Sequence, residues 1–179
     1  MEIIAAVDRN WGIGYNNHLL FHSKKDMSCF RQHTMGNIVI MGRKTLESFP
    51  GGAPLSGRTN IVLTRNGLAE QTKEIGRGYT SEDTRTRLVP AASVEEARKL
   101  AEDLSGKIYI IGGGEIYREF LPLVSTAYIT QFEAETKADT SFPDLAADPE
   151  WELVSVSEEF REEELLFRFY RYERFSSPG

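Results

Sequence analysis

Apolar residues in the first two thirds of the chain come in short continuous runs, each followed by glycines, turn residues or a change to a spaced pattern. Ile3–Val7, Asn37–Met41, Arg58–Thr64, Arg87–Pro90 and Lys107–Ile111 are runs of this kind. They predict strands of a sheet covered on both faces. Thr126–Phe132, Trp151–Ser157 and Leu166–Glu173 complete the predicted strands. Between them the apolar spacing changes to a helical period. Ser93–Leu104 is the clearest case. Ser93 and Glu96 form a capping box, Val94, Ala97, Leu100, Ala101 and Leu104 share one face, and Gly106 ends the helix. Ser23–Thr34 ends before Gly36, Arg43–Phe49 is short, and Glu115–Leu121 stops at Pro122.

Alternating strands and helices predict an α/β fold with parallel strands and right-handed crossovers. The last two strands have no helix between them and should pair antiparallel. The expected architecture over residues 1–179 is one domain. It has a central, eight-stranded, mostly parallel twisted sheet, an antiparallel C-terminal strand and about four flanking helices. Two stretches resist assignment. Asp8–His22, with Gly12, Gly14, Asn16 and Asn17, reads as a mobile loop. Asn66–Thr86 is polar and long for a loop, with a short helix expected near 68–75.

Composition narrows the setting. With 179 residues and 40% hydrophobic content the chain can bury an ordinary core. A lone cysteine, Cys29, excludes an internal disulfide and fits a reducing compartment. The N-terminus reads as a strand, not a signal peptide, and no apolar run is long enough to span a bilayer. The expected location is therefore cytoplasmic, with no membrane partner. The net charge of -6 argues against nucleic acid as a partner, so an anionic ligand needs local basic groups.

Such groups lie just after the predicted strands, where α/β sheets bind ligands. Arg43, Lys44 and Thr45 follow Gly42; Thr64 and Arg65 follow Leu63. Guanidinium, ammonium and hydroxyl groups together suit a phosphate, with ordinary solvated surface charges as the alternative. The run Lys107-Ile-Tyr-Ile-Ile-Gly-Gly-Gly-Glu-Ile-Tyr117 stops a buried strand at three glycines and restarts as a helix. Gly112, Gly113 and Gly114 let a ligand approach the backbone, and the helix start offers free N–H groups. A tight turn without a ligand would use the same residues. Two phosphate sites on one sheet suggest a dinucleotide, and the extra basic cluster suggests one with a 2′-phosphate.

Asp26 is the acid of greatest interest. Its position three residues after Ser23 is that of a capping-box carboxylate. Its neighbours Leu19, Leu20, Phe21, Met27 and Phe30 offer the second reading, a carboxylate in apolar surroundings awaiting a nitrogen-rich heterocycle. His18, His22 and His33 lack a metal-ligand pattern. Glu158–Glu164 reads as a solvated hairpin loop.

Taken together, Gly12-Ile13-Gly14, Val39-Ile-Met-Gly-Arg-Lys-Thr45, Gly57-Arg-Thr-Asn-Ile-Val-Leu63, Ile110-Ile-Gly-Gly-Gly-Glu-Ile-Tyr117 and Asp139-Thr-Ser-Phe-Pro143 resemble the dihydrofolate reductase family from Ile3 to about Arg174. The resemblance implies NADPH as cofactor and reduction of 7,8-dihydrofolate to tetrahydrofolate for one-carbon metabolism. Hydride would go to C6 and a water-borne proton to N5. It implies a cis peptide between Gly112 and Gly113. Nicotinamide would lie against Ala6, Ile13 and the glycine turn, which continues into Glu115, Ile116 and Tyr117. Arg43, Thr64 and Arg65 would meet the 2′-phosphate, with Lys44 near the diphosphate or ribose; Gly42, Thr45 and Leu63 belong to the same cofactor surface. Asp26, with Thr130 as its hydroxyl partner, would hold the pterin, walled by Ile4, Ala6, Met27, Phe30, Phe49 and Ile111. Arg58 would clamp the substrate's glutamate carboxylate. Residues 8–24 would form a mobile lid. A monomer is expected, as is binding of antifolates such as methotrexate or trimethoprim.

Two positions depart from the family. Leu20-Phe21 replaces the usual Pro-Trp, so Phe21 keeps an aromatic wall but loses a donor, which should alter proton handling. Glu115 stands where some relatives have a base; it should weaken NADPH slightly, with Lys44 or Arg65 as compensating charges. Rival readings are a riboflavin-pathway type reductase, a non-catalytic folate- or nucleotide-binding paralogue, and a purely structural interaction protein. Asp26 and Arg58 favour folate over the first. Leu20-Phe21 is the only hint of the second. The third would not need the glycines and the basic loop ends together.

Overall fold

In a computed structural model, which describes residues 1–65 and 85–175, the chain runs through twelve strands and four α-helices among those residues. In chain order they are β1 (Glu2–Val7), β2 (Gly12–Tyr15), β3 (His18–Leu19), α1 (Lys24–Thr34), β4 (Ile38–Gly42), α2 (Arg43–Ser48), β5 (Thr59–Leu63), β6 (Arg87–Ala91), α3 (Val94–Glu102), β7 (Ile108–Gly112), α4 (Gly114–Phe120), β8 (Thr126–Phe132), β9 (Thr140–Ser141), β10 (Trp151–Val156), β11 (Phe160–Glu162) and β12 (Leu165–Arg174). The helix expected near 68–75 lies outside the described residues.

The main sheet has the order β10-β12-β8-β1-β7-β4-β5-β6, with β11 as a spur on β12. The expected eight-stranded sheet is this path. The five pairings from β8 across to β6 are parallel, and those made by β12 are antiparallel. The strand period of two divides the runs between two cores. Ile3, Ala5, Val7, Ile38, Ile40, Ile61 and Ile110 face the side that holds Ala97 and Ala101 of α3 and Tyr117 and Phe120 of α4. Ile4, Val39, Met41, Val62 and Tyr109 face the side packed by Phe30 of α1 and Leu46 of α2. This two-sided burial is why those strands read as unbroken apolar runs.

The sequence missed a second sheet. Asp8–His22, expected as a loop, holds a hairpin of β2 and β3 that β9 extends, in the order β3-β2-β9. Asn16 and Asn17 form its two-residue turn with φ of 50° and 60°. Both turn residues sit at positive φ, as a type I′ hairpin turn requires, and asparagine tolerates that conformation better than most residues. The buried Asp8 ties down the base: Oδ1 accepts from the amides of Gly12 (2.7 Å) and Asn10 (2.9 Å), and Oδ2 accepts from the Thr136 hydroxyl (2.6 Å). Burial alone would raise the Asp8 pKa, but these hydrogen bonds outweigh it and hold the carboxyl below its usual value.

Candidate active site

Strand β7 lies between β1 and β4, so the loops after β1 and β4 leave on either side of the glycine turn that ends β7. That arrangement opens a cleft at the carboxyl edge of the sheet. The Gly112–Gly113 peptide is cis. Gly112 has φ of 127°, a conformation that suits glycine alone, and a Cβ there would lie 3.4 Å from the Tyr117 ring. A Cβ on Gly113 would lie 3.5 Å from Thr45 Oγ1, so α2 and the turn are close neighbours. A Cβ on Gly114 would lie 2.5 Å from Thr140 Cγ2. The turn therefore packs against β9 and, through it, against the β2–β3 hairpin. Gly42 and Gly113 are the residues just before α2 and α4, and no side chain caps either helix start.

The carboxylate faces this turn from the other side of β1. Asp26 sits in the first turn of α1 and is half-buried. Its Oδ1 accepts a 2.7 Å hydrogen bond from the buried Thr130 hydroxyl on β8. Desolvation pushes the Asp26 pKa up; the Thr130 hydrogen bond opposes this, and the Glu162 charge adds to it. The capping reading is half right. Ser23 Oγ accepts from the Asp26 amide at 3.0 Å, but the Asp26 side chain turns to Thr130 instead of back to the helix start.

The predicted wall residues are spread along the cleft. Ile4 and Ala6 lie on β1, Ile111 on β7, and Met27 and Phe30 on α1; Phe49 follows α2. Phe30, Phe49 and Ile111 are partly buried against one core, and Met27 is 53% exposed. Ile13 lies on β2 and packs against the other core. Phe21 stacks on Phe132 with ring centroids 4.1 Å apart, so this position keeps its aromatic contact without a donor. Arg58 is buried at the far end of α1. Its Nη1 donates to Thr34 Oγ1 (3.1 Å) and its Nε to the Ser56 carbonyl (2.9 Å). Tyr117, expected among the cofactor residues, is buried and donates to the Ile4 carbonyl at 2.8 Å, bracing α4 against β1.

The basic residues are arranged differently. Arg43 pairs with Glu47 at 3.3 Å. Arg65, just past Leu63 and Thr64, reaches Glu115 (3.3 Å) and Glu119 (3.0 Å). Lys44 makes no ion pair among the described residues, and its carbonyl accepts from Asn17 Nδ2 of the hairpin turn at 3.3 Å. Arg65 thus neutralises the departure at Glu115, but its own charge is engaged in doing so. Glu119 escaped the sequence reading, although its place four residues after Glu115 puts both acids on one helix face. Asp8 and Glu162 were missed as well. The Thr136 hydroxyl that meets Asp8 and the Ser23 hydroxyl that meets Glu162 are more than a hundred residues away, beyond the reach of any local pattern.

A parallel sheet with a glycine turn, basic loop ends and one acid across the same edge is the arrangement of a dinucleotide-dependent α/β enzyme. Comparison with known proteins makes this specific. The family model for dihydrofolate reductase matches residues 1–174. Dihydrofolate reductase of Haemophilus influenzae is 39% identical over 152 residues, covering 85% of this chain and 83% of the relative. That of Staphylococcus haemolyticus is 32% identical over 170 residues, covering 95% and 92%. Among solved structures, a dihydrofolate reductase from Enterococcus faecalis complexed with NADP(H) and RAB-propyl aligns with a TM-score of 0.77 at 27% identity, covering 98% of this chain and 96% of that one. The chain belongs to the dihydrofolate reductase family.

Proposed function

We propose that the protein reduces 7,8-dihydrofolate to 5,6,7,8-tetrahydrofolate with NADPH as reductant. The observation that carries this reading is the Asp26–Thr130 pair, a half-buried carboxylate on the opposite side of β1 from the glycine turn. β8 and β7 are two strand spacings apart, about 10 Å, which leaves β1 as the floor on which flat rings can lie. α1 supplies the length. Asp26 is in its first turn, and the last residue, Thr34, holds Arg58. The eight helical steps from one to the other rise about 12 Å, enough to seat a pterin at one end and a substrate carboxylate at the other. The glycines and the loop-end bases fit a dinucleotide phosphate chain, since no side chain caps the helix starts.

When bound there, NADPH supplies the hydride that adds to C6, and a proton from water adds to N5. The chain does the rest. Asp26 accepts from the pterin amino group and ring N3, which fixes the ring face and favours the tautomer that can be protonated at N5. Thr130 holds the carboxylate in that orientation. Phe21 and Met27 exclude water, and Arg58 takes the glutamate carboxylate. Residues 8–24 act as the lid. Its base is tied by Asp8, and its tip reaches α2 through Asn17. Antifolates that present an amino-substituted ring to Asp26 compete for the same place. We read the protein as a cytoplasmic monomer; among the described residues no helix is long and apolar enough to cross a membrane.

One assay tests the reading. Adding dihydrofolate to protein and NADPH should remove NADPH absorbance in proportion to the protein present. No loss of absorbance, with methotrexate still bound tightly, would make the chain a binding-only paralogue.

A further inference from the structure

The N-terminus of α1 is capped from outside the helix. Glu162, on the spur strand β11, lies 139 positions from the helix cap residue Ser23. Its Oε2 accepts from the Ser23 hydroxyl at 2.5 Å and its Oε1 from the Lys24 amide at 2.9 Å. A further backbone contact comes from Lys25, and together these hold the Glu162 pKa below its usual value. Above the same strand, Lys25 Nζ sits 4.1 Å from the centre of the Phe160 ring. The acidic run of the sequence is a hairpin, as expected, but its Glu162 is engaged with the helix rather than simply solvated.

The position of Asp26 makes this contact consequential. A Ser-x-x-acid helix start ordinarily uses the acid to reach back to the cap residue. Here the helix start already has a carboxylate, supplied by Glu162, and Asp26 turns away from it to Thr130. Both contacts share one reference frame. β12 pairs with β11 through Glu162↔Leu165 and with β8 through Phe169↔Thr130. The strand pair that holds Thr130 therefore also holds the substitute cap.

We propose that Glu162 is a positioning residue for Asp26: by capping α1 from the hairpin it frees the Asp26 carboxylate to face the cleft. The proposal rests on Asp26 being the pterin-binding carboxylate. Without Glu162, Asp26 is the nearest acid able to satisfy the helix start, and doing so removes it from Thr130. Several groups surround Asp26 electrostatically. They are Thr130 from β8, Glu162 from β11, Cys29 from α1 and Tyr117 from α4. Losing the Glu162 charge and gaining backbone N–H donors favour ionised Asp26, and losing the Thr130 hydrogen bond opposes them.

The test uses the whole protein with Glu162→Gln, Glu162→Ala, Asp26→Asn and the double variant Glu162→Ala/Asp26→Asn. Glu162→Ala should lower kcat/KM for dihydrofolate by about tenfold and leave the Kd of NADPH unchanged. The pH limb that reports Asp26 should shift. Glu162→Gln, which keeps one acceptor oxygen, should fall between it and the parent. In the double variant, Glu162→Ala should add almost nothing to the loss from Asp26→Asn, because both act on one group. Losses that multiply, or a fall in Tm with an unmoved pH limb and unchanged kcat/KM, make Glu162 a helix cap only and overturn the proposal. Absence of dihydrofolate reduction by the parent protein would instead overturn the underlying function.

Discussion

The two ends of the cleft handle charge in opposite ways. At the proposed pterin end one carboxylate, Asp26, is half-buried and held by a single 2.7 Å hydrogen bond from a buried threonine. At the proposed adenosine end, Arg65 and Glu115 pair at 3.3 Å with side chains 75% and 73% exposed. The first arrangement is costly to disturb, since a buried polar group that loses its partner has no water to replace it. The second is loose. Exposed ion pairs contribute little and are screened by salt, so a phosphate can take Arg65 from its acids at small cost. On the proposed reading, the chain fixes the group that orients the reacting ring and leaves the groups that hold the distal phosphate free to rearrange.

Substitutions at the two ends should differ accordingly. The largest effect is expected for Asp26→Asn. Turnover of dihydrofolate should fall by at least about 100-fold, in the range for loss of a positioned acid–base group. The Kd for NADPH should stay within about twofold. Equal loss of both, measured by steady-state kinetics and cofactor fluorescence, would return Asp26 to a capping role. Stability should respond in the other direction. A folded pKa raised above the unfolded value makes the native state bind more protons than the unfolded one between the two values. Stability therefore falls as pH rises through that window. The Asp26→Asn substitution would abolish that fall, and thermal melts across pH would detect it.

Gly114→Ala comes next. The new methyl would lie 2.5 Å from Thr140 Cγ2, so β9 or the turn must move. A cost of about 1–3 kcal/mol is expected, with weaker NADPH binding, because the cofactor turn and the lid sheet meet there. An unchanged Tm and unchanged Kd would show that the packing there is slack. Thr130→Val is expected to have an effect of similar size. It removes one hydrogen bond to a charged group, about 1.5–3 kcal/mol in typical cases, and so about 10- to 100-fold in kcat/KM for dihydrofolate. That bond lowers the Asp26 pKa against desolvation, so its loss raises the pKa further. The Asp26 limb of the pH profile should move to higher pH. A limb that stays in place would mean that Thr130 does not hold the carboxylate in solution.

Much of this was legible in the sequence where local pattern decides structure. The apolar runs located the main-sheet strands because burial on both faces leaves no polar alternation to confuse them. Ser93 and Gly106 framed a helix that runs from Val94 to Glu102. The β2–β3 hairpin was not legible. Its strands are short, exposed toward the tip and built around glycine and asparagine, the composition of a loop. The Asp26–Thr130 contact was reached only through family resemblance, because its partners are 104 positions apart. Glu162 was hidden by its company: within an acidic run, nothing local separates the one carboxylate that meets a helix from those that meet water.

The smallest expected effect tests the loose end of the comparison. Glu115→Gln removes one of the two acids holding Arg65 and keeps the side chain's size. If Glu115 competes with the cofactor's 2′-phosphate for Arg65, its loss should tighten NADPH by about two- to fivefold at low salt, the range for an exposed pair. The gain should fade as ionic strength rises, since about 10 Å of screening at 0.1 M already weakens such contacts. NADH, which lacks the 2′-phosphate, should bind as before. Titration of both cofactors into Glu115→Gln and parent protein at two salt concentrations decides the matter. Equal tightening of NADH and NADPH would mean that Glu115 acts on the diphosphate through the glycine turn. A salt-independent gain would mean that the Arg65 cluster is more firmly built than its exposure implies. The difference between the two ends of the cleft would then lie in the groups' chemistry rather than in their burial.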